Sequence, residues 1–526
     1  MSPPASPVPP SSRSGLVRKG RPIVIATLLS RPLGFVREAV QAALFGASRL
    51  TDAFLVAYNV PEMIQTLFFS GVLSNFFVPV ITRYRNRAAE LNRVFSLSLD
   101  AAFGIALVLA GVCYVAAPAI LTVAAPGLGG DDHDLAVFLF RLMLPMLVVH
   151  CLLAVIKGTL NSLDHYAMPE YAGVFFNLVM IACALSLAGA YGIRSLAIGV
   201  VAGSLVQLLV QIPALARAGI RYRPSFAFRH PALREMGGLV LGAFIATAVV
   251  PINAFVARAL ASTLAEGSIS ALAYAFRIFL LPVSLFAVPV YTVLLTDLSA
   301  AHQADGAERE FKDKAAAGLS LLFAVGLPAT ALVVGLAMPI TRLLYQRGQF
   351  TPEDVVLTSQ ALMAYGVGIV AYGSSQVMVR LFNATKDTRT PAVVGLVSVG
   401  LNALGGWLLM QVWGHWGIAL MISLASGLNT LILYAIFRRR RGPLNEALLA
   451  RQFATHFLLA AALGGCVFGL SQPLADVPGS LMTPLYLTQL AAIVAAGSGL
   501  YLMLGFVFKV EEVWALWRLL RRKLGG

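Results

Sequence analysis

The residues of this chain best suited to chemistry are charged side chains inside segments that are otherwise apolar. Arg31, Arg37 and Glu38 lie in the first long apolar stretch, and Arg277 lies in a later one. A charged side chain in the hydrocarbon core of a membrane costs about 3 kcal/mol or more, so such residues usually line a hydrated cavity and have a function. Cationic groups in a cavity favour an anionic ligand, and this pattern indicates a transporter for a solute that carries phosphate or carboxylate.

Arginine suits such a site better than lysine would. Its planar guanidinium binds a phosphate group through two hydrogen bonds and keeps its charge when it loses water. Pro32 and Gly34 separate the two arginines of the first stretch, and both residues weaken a helix. On an unbroken helix Arg31 and Arg37 would point about 240° apart. We therefore predict a kink or an unwound turn here, which would let both side chains face one cavity.

Other interpretations of the charged residues stay open. A structural pair between Arg37 and Glu38 is an alternative to a substrate site, and Glu38 could serve both purposes. Asp52 begins the second apolar segment, either as a carboxylate stabilised by the helix dipole or as a partner for the arginines. Glu62 follows Pro61 further along that segment and is a candidate for a position in the cavity.

The composition is typical of an integral membrane protein. Of the 526 residues, 58% are hydrophobic and 12% are charged, whereas a water-soluble domain has about 25% charged residues. The net charge of +15 comes largely from basic residues in short connections, where they set membrane orientation and meet anionic lipid headgroups. The sequence contains no nucleic-acid-reading motif, so nucleic acid is not an expected partner.

The sequence does not favour an enzyme. The four cysteines lie in apolar segments at no metal-ligand spacing, and we expect neither a metal nor a cofactor. The acidic run at 131–134 follows two glycines and is typical of a solvated turn. A Gly-rich phosphate loop of the Walker type does not occur, so direct use of ATP is not expected.

Fourteen apolar stretches are long enough to cross a bilayer, which needs about 20 residues. They lie near 22–46, 54–80, 98–125, 135–160, 167–190, 194–215, 235–262, 268–298, 315–345, 355–384, 391–413, 416–437, 451–473 and 485–508. Arginines cluster after the second, sixth and twelfth stretches and in the C-terminal tail. The positive-inside rule then places both termini in the cytoplasm, in agreement with an even number of spans. The predicted fold is an all-α polytopic membrane protein with 14 transmembrane helices.

A repeated pattern predicts that the chain is duplicated. Starting at Asn161 and again at Asn383, an asparagine is followed after seven residues by proline and after three more by glycine. Chance recurrence at helix starts, where proline is favoured, is the alternative. The offset equals six predicted spans, so the halves share one orientation, and a parallel repeat of this kind places the substrate site between them. Arg258 then matches Arg37 in the other half, either as a site residue or as one that reaches the membrane interface.

The duplication defines the predicted domains. A disordered cytoplasmic tail at 1–20 precedes two six-helix lobes, at 21–220 and 221–442, which a pseudo-two-fold relates. Two further helices at 443–510 have no counterpart in the repeat. The tail at 511–526 is basic and amphipathic and is predicted to lie on the cytoplasmic membrane surface.

At these residues the chain resembles the MurJ/MviN family of lipid II flippases, in the multidrug/oligosaccharidyl-lipid/polysaccharide exporter superfamily. The similar motifs keep their order and spacing over nearly the whole chain, and they are Ser30–Glu38, Gly46–Ala47, Thr51–Phe54, Phe77–Pro79, Tyr274–Arg277 with Pro282, Leu344–Thr351 and Asn383–Pro391. The resemblance implies fourteen helices, of which the last two form a groove for a lipid tail. It also implies that Arg31, Arg37 and Arg277 engage a pyrophosphate. Glu38 stands where the family usually has aspartate.

The second apolar segment departs from the family pattern. After the proline the family commonly has Asn, an Arg pair and Glu-Gly, whereas this chain has Glu62, Gln65, Thr66 and Ser70-Gly71. The flippase class is unaffected, but the identity of the carried glycan is open.

The resemblance implies a flippase that moves lipid II, an undecaprenyl-pyrophosphate-linked muropeptide, from the cytoplasmic to the periplasmic leaflet of the inner membrane for cell wall biosynthesis. Its expected partners are lipid II, membrane lipids and cell-wall synthesis enzymes; the sequence does not identify a coupling ion. Alternatives are a flippase for another polyprenyl-pyrophosphate-linked glycan, a drug/cation antiporter of the same superfamily, and a non-transporting scaffold for wall-synthesis enzymes. An antiporter predicts a cavity lined by carboxylates, and here arginines predominate.

Overall fold

The computed structural model describes residues 10–67, 77–225, 230–232, 235, 249, 251–287, 307–475, 484–510 and 514. Regular secondary structure in these residues is helical, which confirms the predicted all-α fold class. The helices are α1 Pro10–Phe45, α2 Arg49–Gln65, α3 Val78–Tyr84, α4 Ala88–Ala124, α5 Gly130–Ser162, α6 Ala167–Tyr191, α7 Arg194–Leu209, α8 Ile212–Arg217, α9 Ser268–Pro282, α10 Ala307–Gly335, α11 Ala337–Tyr345, α12 Pro352–Val367, α13 Ile369–Ala384, α14 Arg389–Arg441, α15 Glu446–Ala475 and α16 Pro484–Val507. Residues 251–261 are also helical, and one π-helical turn, Val283–Ala287, follows α9.

Within the described ranges, nine helical segments are long and apolar enough to cross a membrane, and the pair α12 and α13, bent by 45°, makes a tenth. One of the nine, α14, covers two predicted spans because its helical geometry is interrupted at Gly414, where φ is +58°. Glycine adopts this left-handed conformation without the steric cost that other residues meet. Much of the second, seventh and eighth predicted spans lies outside the described residues. The count of fourteen therefore stays a prediction.

Trp413 and Trp416 flank the interruption in α14. Their rings are stacked, with centroids 4.9 Å apart and planes inclined by 19°. An offset stack of two indoles is one of the favoured aromatic arrangements.

The chain folds into two compact units. The first contains Met1–Phe45 and Arg49–Phe255, and the second contains Gly46–Ser48 and Val256–Gly526. In the first unit α1 packs along α6, α2 and α4 pack on α5, and α6 and α5 pack on α7. The described part of α1 begins at Pro10, inside the stretch 1–20 that composition assigns to a disordered tail.

The second unit is built around α10, α12 and α14. The C-terminal helices α15 and α16 belong to this unit, because α15 packs along α10 and α16 packs on α15. Buried side chains from these helices form one apolar cluster that includes Leu336, Leu463, Val467, Tyr486 and Tyr501.

The loop that carries the second copy of the repeat pattern is held by one carboxylate. Asp387 accepts hydrogen bonds from the backbone N and the Oγ1 of Thr390, and its Oδ2 lies 2.8 Å from Arg440 Nη1. Partial burial acts to raise the pKa of Asp387, but these donors outweigh burial and hold the pKa below its usual value. A carboxylate whose pKa is lowered by folding stabilises the folded state above its unfolded pKa, and this stability disappears as the pH falls through the folded pKa.

Replacing the Asp387 carboxylate should change how the stability of the folded protein depends on pH in the acidic range. We expect Asp387→Asn to be less stable than the wild type above about pH 5 and to lose the difference as the pH falls below about 4. Thermal unfolding of the detergent-purified chain across this range measures the effect. Arg440→Gln, which removes one donor to the same carboxylate, should reduce stability in the same pH window. Parallel pH profiles for Asp387→Asn and the wild type would contradict this account.

Candidate functional site

The helix α1 is continuous through Pro32 and Gly34, so of the predicted kink or unwound turn the unwound turn is wrong, and the kink stays a prediction. Packing explains the difference: α1 lies along α6, and a Cβ at Gly34 would be 4.0 Å from Asn177 Nδ2. Tertiary packing commonly overrides a weak helix propensity. Because the helix is unbroken, Arg31 and Arg37 lie on different faces, about 240° apart. Arg31 is exposed, whereas Arg37 is largely buried.

Arg37 is held by a carboxylate and an aromatic ring. Its Nη2 lies 3.1 Å from Glu38 Oε1, and the two side chains are only 15% and 11% exposed. Its guanidinium carbon lies 5.9 Å from the centroid of the Phe176 ring on α6. A cation over an aromatic face is attracted by the ring quadrupole. The Arg37–Glu38 pair considered as an alternative is therefore present, and it compensates the guanidinium charge in this structure.

Behind Phe176 lies a polar cluster that the sequence analysis missed. The His150 ring on α5 has its centroid 6.4 Å from that of Phe176. Its Nδ1 is 2.7 Å from Gln65 Oε1 on α2, and its Nε2 is 3.2 Å from Ser204 Oγ on α7. The available signal was a histidine within an apolar span, where polar side chains are costly and tend to be functional.

Two predicted site carboxylates lie on α2. Asp52 is 5% exposed and belongs to the first turn of the helix, where the N-terminal end of the helix dipole stabilises a negative charge. It therefore occupies the position that the helix-dipole interpretation requires. Glu62 is half-buried about three turns later, beside Pro61.

In the second unit, Arg277 is exposed on α9. One turn earlier, Tyr274 fixes the helix, because its ring centroid lies 4.9 Å from that of Tyr345 and 5.7 Å from that of Phe350. These three aromatic residues come from two of the motifs that carry the family resemblance. The packing of the motif residues therefore holds α9 in place and leaves the Arg277 side chain accessible.

Arg258 is half-buried in the helical stretch 251–261. Its charge is close enough to act on the hydroxyl of Tyr365. Tyr365 packs against Phe276 and Phe279 of α9, with ring centroids 5.4 and 5.8 Å away. Tyr365 thus lies within the electrostatic range of Arg258 and in ring contact with the helix that carries Arg277.

The short segment Gly46–Ser48, between α1 and α2 in the chain, belongs to the second unit. The backbone N–H of Ala47 donates to Asp354 Oδ2, at 3.2 Å. Asp354 also forms a reciprocal capping box with Thr351 at the start of α12. One carboxylate thus satisfies backbone donors of the helix start and of the segment together.

Long apolar helices with charged residues inside them define a multi-pass membrane transporter. A model of the lipid II flippase MurJ family matches residues 41–487. The lipid II flippase MurJ of Burkholderia cenocepacia is 31% identical over 425 residues, 79% of this chain and 82% of that protein. The probable lipid II flippase MurJ of Rhizobium meliloti is 32% identical over 511 residues, which cover 93% of this chain and 94% of that protein. The chain belongs to the lipid II flippase MurJ family.

Solved structures agree with this assignment. A lipid II flippase MurJ in an inward closed conformation is similar with a TM-score of 0.78 and 26% identity, covering 92% of this chain and 98% of that one. An inward-facing multidrug transporter of the MATE family has a TM-score of 0.66 at 14% identity, covering 81% of this chain and 98% of that one. At this identity the similarity is one of fold alone. As a member of this flippase family, the chain is a transporter and not an enzyme.

Proposed function

We propose that this protein moves lipid II from the cytoplasmic to the periplasmic leaflet of the inner membrane by alternating access, for cell wall biosynthesis. The observation that carries the proposal is Arg37, a largely buried arginine within an apolar helix of a chain from this family. A guanidinium in that environment can exchange its Glu38 partner for a pyrophosphate, and water does not weaken the interaction as it does at an exposed site.

The proposed roles follow from charge and position. Arg37 and Arg277 bind the pyrophosphate, and Glu38 holds Arg37 when the headgroup is absent. Arg31, exposed on a different face of α1, would contact the headgroup at another stage of its passage. The full set of proposed substrate-binding residues is Arg31, Arg37, Glu38, Asp52, Glu62, Arg258 and Arg277.

The lipid tail requires an apolar surface. An open pocket of about 260 Å³ in the second unit, lined by apolar side chains together with Ser374, Thr430, Tyr434 and Glu446, supports a place for part of the tail next to α15. Its lining includes Leu319, Phe323, Met378, Leu431 and Leu449, from α10, α13, α14 and α15. We assign the two six-helix lobes to 21–220 and 221–442 and the groove helices to 443–510.

The proposed orientation has both termini in the cytoplasm. The run Arg438–Arg441 at the end of α14 supports it, because basic clusters favour the cytoplasmic side. Arg438, Arg440 and Arg441 each form an ion pair with a carboxylate, which shows that the run is folded into the second unit. Cell-wall synthesis enzymes are proposed as further partners.

A second candidate is a flippase for another polyprenyl-pyrophosphate-linked glycan. The departure in α2 favours it, since Gln65 stands where the family pattern has an arginine pair and is hydrogen-bonded to His150. A different headgroup would suit an uncharged side chain at this position.

Conditional depletion of the protein, followed by identification of the lipid-linked precursor that accumulates, tests both candidates. We expect lipid II to accumulate in the cytoplasmic leaflet, and re-expression of the wild type to clear it. Accumulation of another polyprenyl-pyrophosphate glycan would favour the second candidate. Normal turnover of lipid II and of every other such glycan would contradict both.

A further inference from the structure

The Gln65–His150–Ser204 cluster has no role in lipid II transport as proposed so far. We propose that His150 is a proton-binding site, and that a proton taken up there strengthens binding of the anionic headgroup at Arg37. The inference rests on the proposed role of Arg37 in binding that headgroup. It identifies the proton as an ion whose uptake is linked to substrate binding.

The hydrogen bond to Ser204 fixes the protonation of one ring nitrogen of His150. The Ser204 hydroxyl lies 2.8 Å from the carbonyl oxygen of Val200, closer than to His150, and we assign its single hydrogen to that carbonyl. Its Oγ therefore faces His150 Nε2, 3.2 Å away, as an acceptor. The Nε2 atom accordingly carries a hydrogen in either charge state. Whether the ring is neutral or cationic is decided at Nδ1.

The partner of Nδ1 is the side-chain amide of Gln65, which can form a hydrogen bond with either the neutral or the cationic His150 ring. Gln65 Oε1 lies 2.7 Å from Nδ1, and a carbonyl oxygen at that distance accepts a hydrogen bond from a protonated nitrogen. Half a turn of the amide would present its NH₂ group, which donates to an unprotonated nitrogen. Both states keep their hydrogen bonds. Proton uptake at Nδ1 therefore needs rotation of one side-chain amide and no movement of a helix.

Among the residues that the structure describes, the cation nearest to His150 through a chain of contacts is Arg37, across the Phe176 ring. On α4, the residues packed at this level of α5 are apolar, namely Ala106, Leu109 and Ala110, and they surround the thiol of Cys151. The helices α3 and α8 pack near Val155 and Leu160, more than a turn away. Among the described residues, Ser204 on α7 contacts His150 directly, and Arg37 with Glu38 lies across the Phe176 ring. The titratable and polar residues nearest along the chain are Glu62, one turn before Gln65 on α2, and Asn177, next to Phe176 on α6.

The sign of the coupling follows from these charges. Burial and the nearby Arg37 both oppose a positive charge on His150. A bound pyrophosphate favours that charge, so proton uptake should accompany binding of the headgroup. Linkage is reciprocal, and a protonated His150 should in turn tighten headgroup binding. The affinity is therefore expected to fall as the pH rises.

Calorimetry of lipid II binding to the purified full-length chain tests the proposal. At about pH 6.5, titrations are run in two buffers that differ in ionisation enthalpy. For the wild type the heats should differ, corresponding to uptake of up to about one proton per lipid II. The affinity should weaken by about 5-fold or more between pH 6 and pH 8. His150→Gln should bind with equal heats in both buffers and a flat pH profile.

Matched variants separate this role from a structural one. His415 is also buried in a helix, with its Nε2 2.8 Å from the carbonyl oxygen of Leu357, and His415→Gln should keep the wild-type proton uptake. Gln65→Leu retains His150 but removes the amide, and it should lose the uptake. Should His150→Gln fail to fold, Gln65→Leu carries the test.

Two results would overturn the proposal: equal heats in both buffers for the wild type, or unchanged proton uptake in the His150→Gln and Gln65→Leu variants. Failure of the wild type to bind lipid II at all would instead overturn the proposed function, and this inference with it.

Discussion

Alanine at Arg37 or at Arg277 should abolish rescue of a strain depleted of this protein. For the largely buried Arg37, truncating one member of a buried, hydrogen-bonded charge pair costs about 2–5 kcal/mol, and a loss of lipid II affinity by about 30-fold or more corresponds to the lower end of that range. Arg37→Lys should recover only part of the loss, because an ammonium keeps the charge but lacks the planar pair of donors.

Two controls accompany this prediction. Arg37→Ala leaves Glu38 without its ion pair, so the double variant Arg37→Gln with Glu38→Gln distinguishes lost binding from an uncompensated buried carboxylate. Arg141 is another arginine in an apolar helix, and its Nε donates to the carbonyl oxygen of Tyr114 at 3.1 Å. Arg141→Ala should leave lipid II binding unchanged. Full rescue by Arg37→Ala and by Arg277→Ala would remove the basis of the proposed substrate site.

Alanine at Gly46 should destabilise the protein by about 2–5 kcal/mol. The φ of Gly46 is +63°, and a Cβ there would lie 2.6 Å from the carbonyl oxygen of Gln349 and 3.1 Å from Asp354 Oδ2. A carbonyl oxygen of the backbone cannot move aside as the end of a side chain can. Gly267 has a φ of +80°, and a Cβ there would overlap the carbonyl oxygen of Ala47, so Gly267→Ala should behave in the same way.

Gly414 supplies the matched control for this second prediction. Its φ is +58°, but no atom lies within 4 Å of the position of its Cβ. Gly414→Ala should therefore cost only the conformational strain, about 1–2 kcal/mol. Thermal unfolding and rescue of a depleted strain are measured for all three variants. If Gly46→Ala is no less stable than Gly414→Ala, the close backbone approach at Gly46 is not important for stability.

Sequence reasoning selected charged residues as candidates but did not predict their surroundings. Arg37 and Glu38 could be found because an ionised side chain in an apolar segment is costly and therefore conspicuous. The turn predicted at Pro32 and Gly34 was wrong because it relied on local propensity, and the packing of α1 on α6 outweighs that propensity. Propensity is a property of a segment, whereas packing depends on residues far away in the chain.

The residues that were missed share one property. His150 is bonded to side chains on α2 and α7, which are distant in sequence, so no spacing pattern could connect them. The same is true of the segment Gly46–Ser48, which is bracketed by helices of the first unit and yet packs in the second. Non-local hydrogen bonds and backbone contacts of this kind become visible only when the fold is known.

The stacked indoles of Trp413 and Trp416 make the second unit observable by spectroscopy. Two aromatic chromophores 4.9 Å apart couple their electronic transitions, and the resulting near-ultraviolet circular dichroism depends on their separation and tilt. Because the pair flanks the Gly414 interruption, its signal reports on the geometry of this bend. Movement at that bend during a transport cycle can thus be followed in the unlabelled protein.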